Sequence, residues 1–351
     1  MVTVEERDGL GHEVEDAGPT VANDIVAMLL RDQSLPWPDG VLSAPIRQSN
    51  PSEYYVDTLA SIVEIVLPTF ATMGVGYVFG RLSKVDLRSI IDVAMYITLP
   101  ALAFTSMLEK PIVLGEAARL WGAAVFVALA GYALAWVFFR VTRQRHSGLY
   151  LPIMFMNNVN IPFPIIYLAF GAEGLAVATL FYIPNAILIY TWGVHIAYRA
   201  ESWKESVKEV LRVPLIYAAV GGLILNLAHV QPPALVMGTL EFIGQAAIPL
   251  VLIVAGVNIA GIRPTALPTA ITASILRVGG GFLLGLAAVA LFRFTGVTRA
   301  VVVFDAAMPS AVFASILCAK YRNESELVSS VVLITTVASI VTVPLLLYFL
   351  R

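Results

Sequence analysis

The stretch MFMNNVNIPFPIIYLAFG, residues 154–171, sets Asn157, Asn158 and Asn160, then Pro162 and Pro164, inside a run otherwise apolar enough for lipid. Proline removes a backbone donor and its ring collides with the preceding helical turn, so a helix through this run must break. In hydrocarbon a broken helix survives only beside protein or a polar cavity, because each unmet backbone group costs several kcal/mol there. The run therefore predicts an interrupted membrane span, provided the rest of the chain lives in a bilayer.

Composition says that it does. Of 351 residues, 58% are hydrophobic and 13% charged, and the mean hydropathy is +0.82, too apolar for an ordinary soluble domain. The apolar residues come in blocks of roughly 20, the length of a membrane-crossing helix, and not in the alternating ten-residue strands of a barrel. The fold class is an all-α integral membrane protein. A net charge of −2 gives no electrostatic case for nucleic acid, and the single Cys318 excludes an internal disulfide or a cysteine metal cluster. Neither a cofactor nor a metal is expected.

Ten spans follow, near 58–79, 86–107, 117–139, 148–170, 173–197, 212–229, 234–259, 272–292, 300–320 and 326–350. Ahead of them, residues 1–55 read as a polar, flexible tail. The tail lacks the basic start and apolar core of a secretory signal. DIVAMLLRDQ suits a short interfacial helix, and a true start at Met28 is the alternative account of the tail. Thirteen connecting lysines and arginines, Arg140, Arg143 and Arg145 among them, fall on one side of the spans and five on the other. Basic loops stay cytoplasmic, which points both termini outward.

Ten spans divide into a five-span repeat over 58–197, a charged amphipathic linker over 198–211 and a second repeat over 212–351. Two five-span halves insert in opposite directions and form an inverted pair. Local matches support the division. Asp92 and Glu241 each stand eight residues before a mid-span proline, Pro100 and Pro249. Span 9, FDAAMPSAVFASILCAKY, carries Asp305 and Pro309 at the depth where span 4 holds its asparagines and prolines. Two interrupted spans in corresponding halves are the best sequence pointer to a transporter's substrate site. Facing breaks would offer half-helix N-termini and neutral amide donors to an anion, a carboxylate site without a fixed cationic partner. For a single kinked span the plainer reading holds, in which asparagine joins neighbouring helices by bonds of about 1 kcal/mol.

The segment MNNVNIPFPIIYLAFGAEGLAVATLFYIPNAILIYTWGV resembles spans 4 and 5 of the auxin efflux carrier family, with Asn157, Pro164, Phe170 and Gly171 on the family's pattern. LEFIGQAAIPLVLIVAGVNI is similar to its seventh span, with Pro249 and Gly256 in register, and AAMPSAVFASILCAKY to its ninth, with Met308, Pro309 and Tyr321. The glycine expected two residues before Pro164 is Pro162 here. The resemblance covers residues 58–351. It implies ten transmembrane helices as two inverted five-helix repeats, with helices 4 and 9 broken and crossed. Spans 1, 2, 6 and 7 would be a scaffold, and spans 3–5 with 8–10 a part that moves like an elevator. It further implies a plasma-membrane carrier of small organic carboxylates such as auxin, malate or malonate.

On that resemblance the substrate-binding residues are Asn157, Asn158, Asn160, Pro162, Pro164 and Pro309. Asp305, an acid near mid-membrane, is the ion-coupling candidate, either as proton carrier or as cation ligand. Asn185 and Gln245 are pathway candidates. Arg277 reads as a structural arginine snorkelling to the headgroups, and Gly279, Gly280 and Gly281 as a close helix contact. Glu64, Asp92, Glu241 and His195 read as span-end or interfacial residues. The expected partners are an organic acid, the lipid bilayer and proton or sodium; a homodimer is the assembly the sequence leaves open. An enzyme finds no support, since His-Glu-x-x-His, Gly-x-Ser-x-Gly and P-loop patterns are all missing from the sequence. The alternatives are a sodium-coupled organic-anion symporter of the bile-acid type and, behind it, a channel.

Overall fold

A computed structural model describes residues 51–83, 88–109, 111–198 and 212–350. The expected tail up to residue 50 and nearly all of the 198–211 linker lie outside the described residues. The first helix, α1 (Pro51–Leu82), already includes residues 51–55, which the sequence assigned to the tail. The second span is α2 (Arg88–Val93), a π-turn (Ala94–Thr98) and α3 (Leu99–Glu109). Then come α4 (Leu114–Thr142), α5 (Tyr150–Met154), α6 (Pro162–Leu188), a second π-turn (Ile189–Gly193) and α7 (Val194–Tyr198). The remaining elements are α8 (Pro214–Leu227), α9 (Ala234–Gln245), α10 (Ala247–Ala260), α11 (Leu267–Phe292), α12 (Gly296–Ala306), α13 (Val312–Lys320) and α14 (Ser325–Leu350).

Among the described residues, seven helical segments are long and apolar enough to cross a membrane, and Pro214–Leu227 is a shorter apolar helix. Large apolar side chains such as Leu67, Phe242, Leu283 and Phe349 are exposed. A soluble protein would pay for such a coat in water, whereas lipid tails are as apolar as leucine.

Proline places the irregularities. Pro100 has no N–H for the carbonyl of Tyr96, and the π-turn Ala94–Thr98 spans that carbonyl. Pro249 does the same for Gln245, and there the segment divides into α9 and α10 at Ala246. The 36-residue run Pro162–Ala197 is too long for one straight crossing of a hydrocarbon core about 30 Å thick. Gly171 divides it, with φ 64° and ψ −162°, a conformation essentially closed to residues with a Cβ. This gives the Phe170-Gly171 pair a backbone reason. Gly171→Ala is expected to cost about 1–3 kcal/mol, read as a lower unfolding midpoint in detergent; an unchanged midpoint would mean that the bend can form without glycine.

Packing falls into two groups. In one, α1 lies along α10, and α3 packs on α8 and α9. There Asn226 Nδ2 donates to the Met107 carbonyl at 2.7 Å while its Oδ1 accepts from Ile112 N at 2.8 Å, so one amide ties the end of α3 to α8. In the other, α11 packs on α12, α4 and α14, and α6 packs on α4 and α12. The groups meet where α3 touches α6 and α14 touches α1.

Candidate functional site

The two interrupted segments face each other. Between α5 and α6 the chain is non-helical over most of residues 155–161, and between α12 and α13 over 307–311. Each gap supplies backbone groups to the other. Asn157 N donates to the Pro309 carbonyl at 2.7 Å and Ala311 N to the Phe155 carbonyl at 3.0 Å, a one-rung antiparallel bridge of Met156 with Ser310. Two of the donors and two of the acceptors freed by the breaks are thus met inside protein, as hydrocarbon requires.

The prolines act differently from a simple mid-helix break. Pro162 is the first residue of α6, where its missing N–H costs nothing and its fixed φ suits a helix start. The interruption lies before it, in the asparagine run. Because Pro162 and Pro164 have no N–H, and Phe163 N is taken by the Val159 carbonyl at 3.3 Å, this helix end offers fewer bare amides than the sequence suggested.

Side-chain amides take over. Asn157 Oδ1 accepts from Asn160 N at 3.0 Å and Val159 N at 3.3 Å, which fixes the orientation of the amide by its oxygen. Its Nδ2 is buried with no hydrogen-bond partner, and so is the Nδ2 of Asn158. The two residues are 5% and 6% exposed. Asn160 is half-buried and joins through its backbone, Pro309 accepts from Asn157 N, and Pro162 and Pro164 are buried in the first turn of α6, directly after the gap.

The other candidates lie off the bridge, Asp305 nearest to it. Asp305 is fully buried in the last turn of α12, and neither carboxylate oxygen has a hydrogen-bond partner among the described residues. Asn185 is buried, but its Nδ2 returns to the Phe181 carbonyl of its own helix at 3.0 Å, leaving Oδ1 unmet. Gln245, the last residue of α9, is exposed, as are Glu64, Asp92, Glu241 and His195.

Arg277 overturns its sequence reading. It does not snorkel: it is 1% exposed, and its guanidinium donates to the Ile153 carbonyl at 2.8 Å, the Met154 carbonyl at 3.3 Å and the Ala306 carbonyl. These carbonyls close α5 and α12, so one side chain caps both half-helices at their C-terminal ends. The break does hold a fixed cation, but one turned toward carbonyls. Of the three glycines, Gly281 faces this cluster, since a Cβ there would overlap the guanidinium and the Ala306 carbonyl oxygen. Gly280 faces Leu134 of α4, and Gly279 has open space around it. Ser310 was also missed. Its Oγ donates to the Pro152 carbonyl at 2.8 Å and its N–H to Thr335 Oγ1 at 3.1 Å, fastening both gaps to α14. A serine directly after the proline of a broken span was the available signal.

Two discontinuous helical segments joined at their gaps, in a bundle of apolar helices with orphaned amide donors beside the join, make a multi-pass membrane transporter. The sequence pattern of the family described as "Membrane transport protein" matches residues 61–212 and 200–347, and the chain belongs to this family, that of the auxin efflux carriers. It is similar to an uncharacterized transporter of Methanothermobacter thermautotrophicus, 27% identical over 297 residues, covering 80% of this chain and 96% of the relative. An uncharacterized transporter of Methanocaldococcus jannaschii is 23% identical over 309 residues, covering 81% and 97%.

Proposed function

We propose that the protein is a secondary carrier of small organic carboxylate anions, bound at the paired gaps and moved by an elevator-like shift. The observation that carries this reading is the pair of buried, unpartnered donors, Asn157 Nδ2 and Asn158 Nδ2. A buried donor left unmet costs about 1–3 kcal/mol, and a carboxylate oxygen is the acceptor that would satisfy the two neutral amides through charge-assisted hydrogen bonds. The mechanism treats the ten spans as two inverted five-helix repeats, 58–197 and 212–351. Support comes from the matched gaps and from the matched irregularities before Pro100 and Pro249. The scaffold would be α1, α2–α3, α8 and α9–α10, and the moving part the group around α4, α6, α11, α12 and α14, a partition that follows the packing groups. The reading places the carrier in the plasma membrane with both termini non-cytoplasmic.

Asp305 is the coupling residue in this reading, as proton carrier or cation ligand. Asp305→Asn is expected to weaken dependence on the driving ion while sparing exchange of bound substrate across proteoliposomes. Equal loss of both activities in a folded variant would make the acid structural. The same unpartnered carboxylate favours the second reading, a sodium-coupled symporter of the bile-acid type.

The experiment is thermal unfolding of the purified protein across a panel of carboxylates that includes malonate, malate and an indole acid, with and without sodium. A ligand of the native state raises apparent stability by mass action. Saturable stabilisation by a carboxylate supports the carrier. No response to any of them, with a response to sodium or a neutral solute, overturns it.

A further inference from the structure

We infer that Arg277 is a tethered cation standing where a crossing of broken helices would otherwise bind a coupling metal ion, so that the paired gaps need no sodium. In transporters built on discontinuous helices, the unwound carbonyls and the C-terminal ends of the half-helices coordinate the sodium ion. Here those acceptors are the carbonyls of Ile153, Met154 and Ala306, and all three receive hydrogen bonds from one guanidinium.

The arrangement uses both nitrogens of the arginine fork: Nη1 serves the Ile153 and Met154 carbonyls and Nη2 the Ala306 carbonyl, whereas a lysine tethered at the same position brings a single nitrogen. The guanidinium has no acidic partner among the described residues, and Nε is without a hydrogen bond. Its counter-charge is the pair of negative dipole ends it covers. The backbone of α11 is shaped for it. Gly281, one turn on, leaves the room that the guanidinium and Ala306 occupy, and a Cβ on Gly285, a second turn on, would lie 2.9 Å from Ala306 Cβ and 3.1 Å from Val303 Cα. Arg277, Gly281 and Gly285 thus form one stripe at a spacing of four, which seats α11 against α12 close enough for the cap to form.

This goes beyond the carrier reading, because carboxylates could bind at the amides with or without a metal ion at the carbonyls; it leaves Asp305 the proton carrier and stands against the sodium-coupled symporter. The test is thermal unfolding of the full chain in sodium chloride against choline chloride, with no carboxylate present, so that failure of the carrier reading does not touch it. Wild type is expected to melt alike in both salts. Arg277→Ala is expected to melt lower in choline and to recover in saturable fashion with millimolar sodium or methylguanidinium. A saturable sodium response in wild type overturns the inference, as does a folded Arg277→Ala that neither cation stabilises. Should Arg277→Ala give no folded protein in any salt, Arg277→Lys decides. Its ammonium leaves one set of carbonyls uncovered and should acquire the cation response; a Lys variant as indifferent to sodium as wild type overturns the inference.

Discussion

Asn157→Asp is expected to abolish carboxylate binding at a pH where the new carboxyl is ionised, with a lower unfolding midpoint there because the charge is buried without a cation. The two halves of the Asn157 amide have separate work. Its Oδ1 holds the amides of Val159 and Asn160 and so shapes the gap between α5 and α6. Its Nδ2 is buried and unpartnered. Aspartate keeps an acceptor for both backbone N–H groups and replaces the lone donor by a second acceptor that repels an anion. Losing one charge-assisted hydrogen bond is worth about 1.5–3 kcal/mol, or roughly 10–150-fold in affinity, and the added repulsion should carry the loss beyond 100-fold, on the order of the upper end of that range. Asn157→Ala loses both roles, and it should bind as poorly while also melting lower. Stabilisation by carboxylate that persists in Asn157→Asp would remove this side chain from the site.

The sequence revealed the gaps because they are made by residue types that behave badly in lipid. Prolines and amides in an apolar run admit few explanations, so the segments around 155–161 and 307–311 were legible without coordinates. The use of each residue was less so. A proline that starts a helix and a proline that breaks one look alike in a string of letters, and Pro162 turned out to open α6. Arg277 was misread because depth and azimuth are not written in the sequence: an arginine two-fifths of the way along a 26-residue helix can point to headgroups or inward. The glycines four and eight residues on were the available clue. A face with Gly281 and Gly285 is one that another helix approaches closely, so an arginine on that face points into protein. Gln245 shows what a string of letters leaves out: it ends α9 just before the break at Ala246 and is exposed, a position the sequence does not write. Ser310 and Thr335 meet across 25 positions of chain, a pairing that only the fold creates.

Gly256→Val should be among the most destabilising single substitutions in the helical bundle, and it should act without touching the site. Helices α1 and α10 meet backbone to backbone through Gly76 and Gly256. A Cβ on Gly256 would lie 2.7 Å from Tyr77 N and 2.9 Å from the Met73 carbonyl carbon, and one on Gly76 would lie 2.8 Å from Ile253 Cα. None of these is the far end of a flexible side chain, so the helices themselves must separate. Overpacking typically costs about 1–3 kcal/mol, and pushing two long helices apart along their contact belongs at or above the top of that range. Gly74, two residues from Gly76 on the same helix, is the control: nothing lies within 4 Å of its would-be Cβ, and Gly74→Ala should be neutral or slightly stabilising by helix propensity. A Gly256→Val variant that melts with wild type would show that this contact gives way cheaply. The paired outcomes carry the structural argument further. If α1 and α10 belong to a rigid scaffold and the asparagines to the part that moves, whatever Gly256→Val protein survives should bind carboxylate with wild-type affinity, whereas the folded Asn157→Asp protein should not bind it. Were the folded Gly256→Val protein instead to bind more weakly than wild type, the α1–α10 contact and the asparagines would be energetically coupled, against a partition into a rigid scaffold and an independent moving part.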